Sequence, residues 1–412
     1  MAKITPFRAL RPAVELAEKI ASLPYDVMDS EEARAITKSN SYSFLRVTKS
    51  EVDLAADIDT HSTAVYEKAR DNLESFVLQG FLQQDAQPCF YIYRQEMGSH
   101  VQIGLVAAAS VDEYENNLIK KHELTRPDKE QDRVDHIRIT KAQTGAVFLT
   151  YRADAAINSL IKNCMEQSPA YDFTGTDGVR HTLYVIEAMA DITAILKAFA
   201  AVPVMYIADG HHRSAAAARV RDIYREANPQ HTGEEEYNRF LAVIFPHNMM
   251  RIMDYNRVVA DLNGLTESKF LAAVRKNFAV ELCKTAVKPN KARHFGMYLA
   301  GQWYRLEAKA ELYGAEQPEE NLDVSVLQQH VLSPLLGIAN PRTDKRINFV
   351  GGIRGMQELE RLVDSGKYKV AFSLFPTSIE ELMAIADAGN IMPPKSTWFE
   401  PKLRDAMAVH LI

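Results

Sequence analysis

Val202-Pro203-Val204-Met205-Tyr206-Ile207-Ala208-Asp209-Gly210-His211-His212-Arg213-Ser214-Ala215-Ala216-Ala217-Ala218-Arg219-Val220 decides how this chain is read. An apolar, β-favouring run, Val202 to Ile207, enters a turn at Gly210, and the Ala-rich segment Ser214 to Val220 leaves it. The pattern predicts a strand, a tight turn and a helix start. Asp209, His211, His212, Arg213 and Ser214 crowd that junction. Unpaired N–H groups and the positive dipole end make a helix start an anion site. Arg213 offers a planar fork for phosphate oxygens, and His211, His212 and Ser214 can donate to the same anion. Asp209 suits Mg2+, a substrate hydroxyl or an ammonium, or a purely structural helix cap. The nucleotide P-loop pattern, GxxxxGK followed by Ser or Thr, is missing. Asp209, His211 and His212 also leave open a metal hydrolase, which predicts bound Zn2+ or Fe2+.

Upstream, the segment from Ile119 to Ile137 is dominated by charge. Lys121, His122, Thr125, Arg126, Lys129 and Arg133 could clamp a polyanion, and Glu123 is a candidate general base among them. This predicts a mobile, solvated loop running into a helix. Asp26, in Pro24-Tyr25-Asp26-Val27, is either a turn residue or a second candidate carboxylate. Arg257, in Tyr255-Asn256-Arg257-Val258, predicts an ion pair with an acid. Met392-Pro393-Pro394-Lys395-Ser396-Thr397 is a rigid loop suited to packing or to an anion.

The rest of the 412 residues mixes strand and helix signals, so the expected class is α+β (mixed α/β). Helices are expected at Glu31 to Thr37, within Leu54 to Gln83, and at Ala155 to Met165 and Ile192 to Ala200. Strands are expected at Asn40 to Thr48, Cys89 to Gln95, Val101 to Ala109, Ala146 to Thr150 and Phe240 to Phe245. The chain divides into a core, 1–250, and a C-terminal α+β lobe, 251–412. A net charge of −6 argues against a nucleic-acid partner. Three scattered cysteines form neither a metal-spaced cluster nor a disulfide framework. With no signal-peptide core and no membrane-length apolar run, a cytoplasmic protein without membrane contact is expected.

Asp209-Gly210-His211-His212-Arg213, after a strand and opening a helix, resembles the signature of the ParB/sulfiredoxin superfamily. In that superfamily the motif holds phosphate groups, and its members include partition CTPases, sulfiredoxins and kinases of free L-serine. The reactive cysteine of sulfiredoxin is replaced here by His211, so thiol repair is not implied. Six blocks in order resemble a bacterial family known as a domain of unknown function: Pro24-Tyr25-Asp26-Val27, Phe44-Leu45-Arg46-Val47, His122-Glu123-Leu124-Thr125, the Asp209 block, Tyr255-Asn256-Arg257-Val258 and Met392 to Thr397. That resemblance implies a ParB/sulfiredoxin-like core and a free L-serine kinase using pyrophosphate, with ATP or ADP as alternative donors and Mg2+ expected. It places Gly210, His211, His212, Arg213, Ser214, Lys121, His122, Thr125 and Arg133 around the donor phosphates. The candidate catalytic carboxylates are then Glu123, Asp209 and Asp26: Glu123 or Asp26 to orient or deprotonate the serine hydroxyl, and Asp209 to position substrate or bind Mg2+. A nucleotide-switched, DNA-associated regulator is the alternative of another class.

Overall fold

Continuous apolar residues without alternation mark a strand covered on both faces. The Met205–Asp209 strand is such an inner strand, parallel to Ile119–Lys120 on one side and antiparallel to Val147–Tyr151 on the other. The computed structural model describes residues 2–412. Its architecture is α+β, in two units: residues up to Met250 together with Pro401–Ile412, and Arg251–Glu400.

In the first unit a nine-stranded sheet continues from Val147–Tyr151 through Arg239–Pro246, His100–Ser110, Phe90–Met97 and Arg180–Ile186 to Tyr171–Thr174. Ile4–Thr5 adds to His100–Ser110. Residues of the helices Ala155–Cys164 and Met189–Phe199, among them Ile157, Ile161, Ile192, Ile195 and Phe199, join sheet residues such as Leu149, Ile207 and Ile244 in the main core. A smaller core gathers Phe44, Val47, Leu73, Phe76 and Val409.

The second unit is built on a six-stranded sheet, in the order Phe278–Cys283, Gln302–Ala308, His294–Leu299, Val370–Leu374, Tyr255–Val259, Ile347–Gly351. The helix Met356–Asp364 contributes Leu359 and Val363 to the core there.

Two expectations fail. Asn40 to Thr48 is not a strand: Leu45–Thr48 is one helical turn. Phe44, Leu45 and Val47 are all buried, and the Phe44 N–H bonds the Ile20 carbonyl, so packing on the smaller core sets the backbone rather than β-propensity. The last twelve residues, expected in the C-terminal lobe, fold with the first unit instead. Val409 exchanges backbone hydrogen bonds with Leu10, and His410–Leu411 pairs with Ala142–Gln143. No helix among the described residues is long and apolar enough to cross a membrane.

Candidate active site

Gly210 lets the Asp209 strand turn into the helix His211–Ala227. Its φ of 103° is a left-handed value, and a Cβ there would lie 3.1 Å from Arg213 Nε and 3.3 Å from Val147 Cα. Glycine also supplies no capping side chain, and the helix start has none. No side chain therefore caps its first N–H groups.

The charged loop docks on this helix start rather than standing off in solvent. The Arg126 N–H donates to His212 Nε2 at 3.0 Å, and the His122 N–H to His211 Nε2 at 3.5 Å. The His122 and His211 rings meet edge-on with centroids 4.4 Å apart. Accepting through Nε2 leaves the His212 proton on Nδ1. His122 is 2% exposed, and its Nδ1 is buried with no hydrogen-bond partner. One donor atom each of His122, Glu123 and His211 lies within 4.8 Å of the other two.

Burial pushes the His122 imidazole down to about 4, opposed by Asp209 and a hydrogen bond to the Ile207 backbone. Burial, then His122, pushes His211 well below its usual value. Both rings are neutral near pH 7. Burial does the same to His136, down to about 4, and His181, down to about 3. The unfolded chain then takes up protons below pH 6.5 that the folded chain refuses, so stability falls as pH drops from about 6.5 towards 4. Asp405 and Asp323, pushed by burial up to about 8 and about 6, work in the opposite direction. Four imidazoles against two carboxyls leave a net loss on acidification. Melting followed by circular dichroism is expected to show Tm falling between pH 6.5 and 4.5; a flat profile there contradicts the neutral assignment.

Asp209 does not stand open to a metal. Lys402 Nζ lies 3.0 Å from its Oδ2 and Arg213 3.7 Å from its Oδ1. Burial raises the carboxyl, but Lys402 and Arg213 outweigh it and hold Asp209 well below the usual carboxylate range. Mg2+ prefers oxygen ligands, which a carboxylate already neutralised twice supplies poorly. The His122, Glu123 and His211 donor set, two nitrogens and one carboxylate, suits a transition ion better than Mg2+.

Other expected donor ligands are occupied. Ser214 is fully buried, and its hydroxyl donates to the Gly210 or His211 carbonyl at 3.2 Å. Thr125, just ahead of the Pro127–Thr140 helix, donates to the Glu130 carboxylate in its first turn at 2.7 Å. Lys121 Nζ sits 3.9 Å from the centroid of the Tyr114 ring. Arg133 pairs with Asp132 at 2.7 Å and stacks at 3.8 Å over Tyr25, away from the loop. Asp26 is exposed, within electrostatic reach of Arg213 and Asp405. In the second unit Arg257 meets backbone carbonyls of Tyr255 and Lys395 rather than the expected acid.

Residues 4–325 match a family described as a protein of unknown function, DUF1015. The chain belongs to this family. No curated protein sequence matches it. Among solved structures, a free serine kinase in complex with AMP is similar at 12% identity, covering 72% of this chain and 86% of that one, with a TM-score of 0.35. A conserved hypothetical protein from Pyrococcus furiosus is similar at 15% identity over 75% of this chain and 95% of that one, TM-score 0.34. SbnI with a C-terminal truncation, from Staphylococcus aureus, is similar at 10% over 74% and 87%, TM-score 0.38.

Proposed function

We propose that this DUF1015 chain, with a ParB/sulfiredoxin-like core in its first unit, is a phosphotransferase that passes a phosphoryl group from pyrophosphate to the hydroxyl of free L-serine. The reading is carried by one arrangement: an uncapped helix start at His211, with the Glu123 carboxylate docked beside it. The N–H groups of that helix start hold the donor phosphates. Arg213 stands at the edge of that site, its guanidinium bonded to the Ala146 carbonyl. Glu123 takes the proton of the attacking hydroxyl. The serine hydroxyl oxygen forms the new bond to the terminal phosphorus, the bridging P–O bond breaks, and inorganic phosphate leaves. Such a transfer needs alignment and charge neutralisation more than a covalent partner. Serine and pyrophosphate come from the six-block family resemblance; the site itself supports a small hydroxyl acceptor and a phosphate donor. Mg2+ is expected to arrive with the donor, since Asp209 is a poor ligand for it.

Incubating the protein with L-serine, Mg2+ and pyrophosphate, ATP or ADP in separate reactions tests this by mass spectrometry of the product. O-phospho-L-serine is expected, formed fastest with pyrophosphate. No product with any of the three donors overturns the reading.

A further inference from the structure

A buried imidazole beside the helix start carries an unused lone pair. His122 is 2% exposed, and its Nδ1 makes no hydrogen bond among the described residues. The other ring nitrogen, Nε2, is the one left to bond the Ile207 backbone. That bond fixes the tautomer: a proton on Nε2, given to a carbonyl, leaves Nδ1 a pure acceptor. Burying such an acceptor without a donor or an ion is costly. Imidazoles that hold metal ions share this arrangement, with one nitrogen on the ion and the other N–H on a backbone carbonyl or carboxylate.

The fold brings two more donors to it. His122 and Glu123 follow the Ile119–Lys120 strand. His211 follows the neighbouring parallel strand Met205–Asp209, with Gly210 between. Two parallel strands thus end side by side and deliver their donors to one point. One atom from each of His122, Glu123 and His211 lies within 4.8 Å of the other two. Two metal–ligand bonds of ~2.0–2.1 Å at a tetrahedral angle set donors about 3.4 Å apart, so closing on an ion takes only a small convergence.

The donor set selects the ion. Mg2+ takes oxygen ligands in an octahedron and keeps its waters. Zn2+ takes imidazole and carboxylate together, and three protein ligands leave its fourth position open.

We infer that His122, Glu123 and His211 form a Zn2+ site that shuts the transferase off. The inference rests on the phosphotransferase reading for what is shut off, not for the site. With the ion bound, the Glu123 carboxylate is committed to it and no longer takes the serine proton. Mg2+ entering with the donor leaves the three side chains alone. One carboxylate thus serves two exclusive states, base without Zn2+ and ligand with it.

Visible spectroscopy of the full chain, stripped with a chelator and titrated with Co2+, tests the site without reference to activity. The wild type is expected to take up one equivalent, with the intense absorption of four-coordinate Co2+, and to release it to Zn2+ but not to excess Mg2+. Glu123→Gln and His122→Gln are each expected to weaken Zn2+ at least tenfold. His212→Gln, which keeps an acceptor for the Arg126 N–H, is expected to stay within threefold of wild type; this separates the site from one built on Asp209, His211 and His212. Circular dichroism melts establish that the variants fold, and Zn2+ is expected to raise the Tm of the wild type more than that of Glu123→Gln. Phosphoserine formation is read separately, with Mg2+ and pyrophosphate present. Zn2+ is expected to suppress it with the same midpoint as binding, and a Zn2+-selective chelator to restore it. A wild type that takes up neither Co2+ nor Zn2+ overturns the site. So do folded Glu123→Gln and His122→Gln variants that bind Zn2+ as tightly as wild type. Bound Zn2+ with unimpaired turnover overturns the inhibition. Zn2+ bound as described, with no phosphoserine from any donor, keeps the ion site and removes the kinase; phosphoserine with no Zn2+ uptake does the reverse.

Discussion

Glu123→Gln is expected to lower phosphoserine formation by roughly 10^2- to 10^4-fold, the usual loss when a positioned general base is removed. The reason is local. Glu123 follows the short Ile119–Lys120 strand, which runs parallel to the strand that ends at Asp209. Its carboxylate therefore arrives at the helix start together with His122 and His211. Those two imidazoles are held neutral by burial. Asp209 is tied to Lys402 and Arg213. Of the carboxylates considered at this junction, Glu123 is the one whose oxygen converges with the two rings. Glutamine keeps the shape and removes the basic oxygen, so pyrophosphate is expected to bind at least as well as before, measured by isothermal titration. A rival role for Glu123 as a ligand to an activating divalent ion predicts something different: added Mn2+ would restore turnover. Glutamine activity within threefold of wild type removes the base assignment.

How much of this was legible beforehand depends on how far each interaction reaches along the chain. The strand, turn and helix around Gly210 were readable because apolar run, glycine and Ala-rich segment lie side by side. The helix expected at Glu31 to Thr37 was readable too: it runs Ser30–Ser39, and the box that starts it, Asp29 with Glu32, lies within four residues. Hydroxyls misled: Ser214 and Thr125 look like phosphate ligands in sequence, yet Ser214 donates to a backbone carbonyl at its own helix start and Thr125 to the Glu130 carboxylate. Arg133 misled for another reason. The run of charged residues from Ile119 to Ile137 does not say that the loop ends at Arg126, nor that a helix then turns Arg133 towards Tyr25. Lys402 and Asp405 were invisible. Lys402 meets Asp209 across 193 positions of sequence. The signal that could have drawn attention is the cluster Lys402, Arg404 and Asp405, set just ahead of the apolar ending Ala406 to Ile412.

Arg213→Ala is expected to damage the fold as well as the chemistry, and separating the two is the sharper test. The Arg213 side chain is only 11% exposed. It donates to the Ala146 carbonyl, lies 3.7 Å from Asp209, and is the leading positive influence on Asp405. Alanine would leave that carbonyl without this donor and would strip compensation from two carboxyls at once. Removing one partner of a buried charged cluster costs about 3–5 kcal/mol. For a unit of this size that corresponds to a Tm lower by roughly 6–20 °C, measurable by differential scanning calorimetry. Arg213→Lys separates the roles. A lysine keeps the positive charge beside Asp209 and Asp405 but not the planar fork. It is expected to recover most of the lost Tm while turnover stays at least tenfold down. An alanine variant that melts within about 2 °C of wild type would mean that Asp209 and Asp405 do not depend on this guanidinium. A lysine variant with full activity would mean that its charge suffices and its shape does not matter.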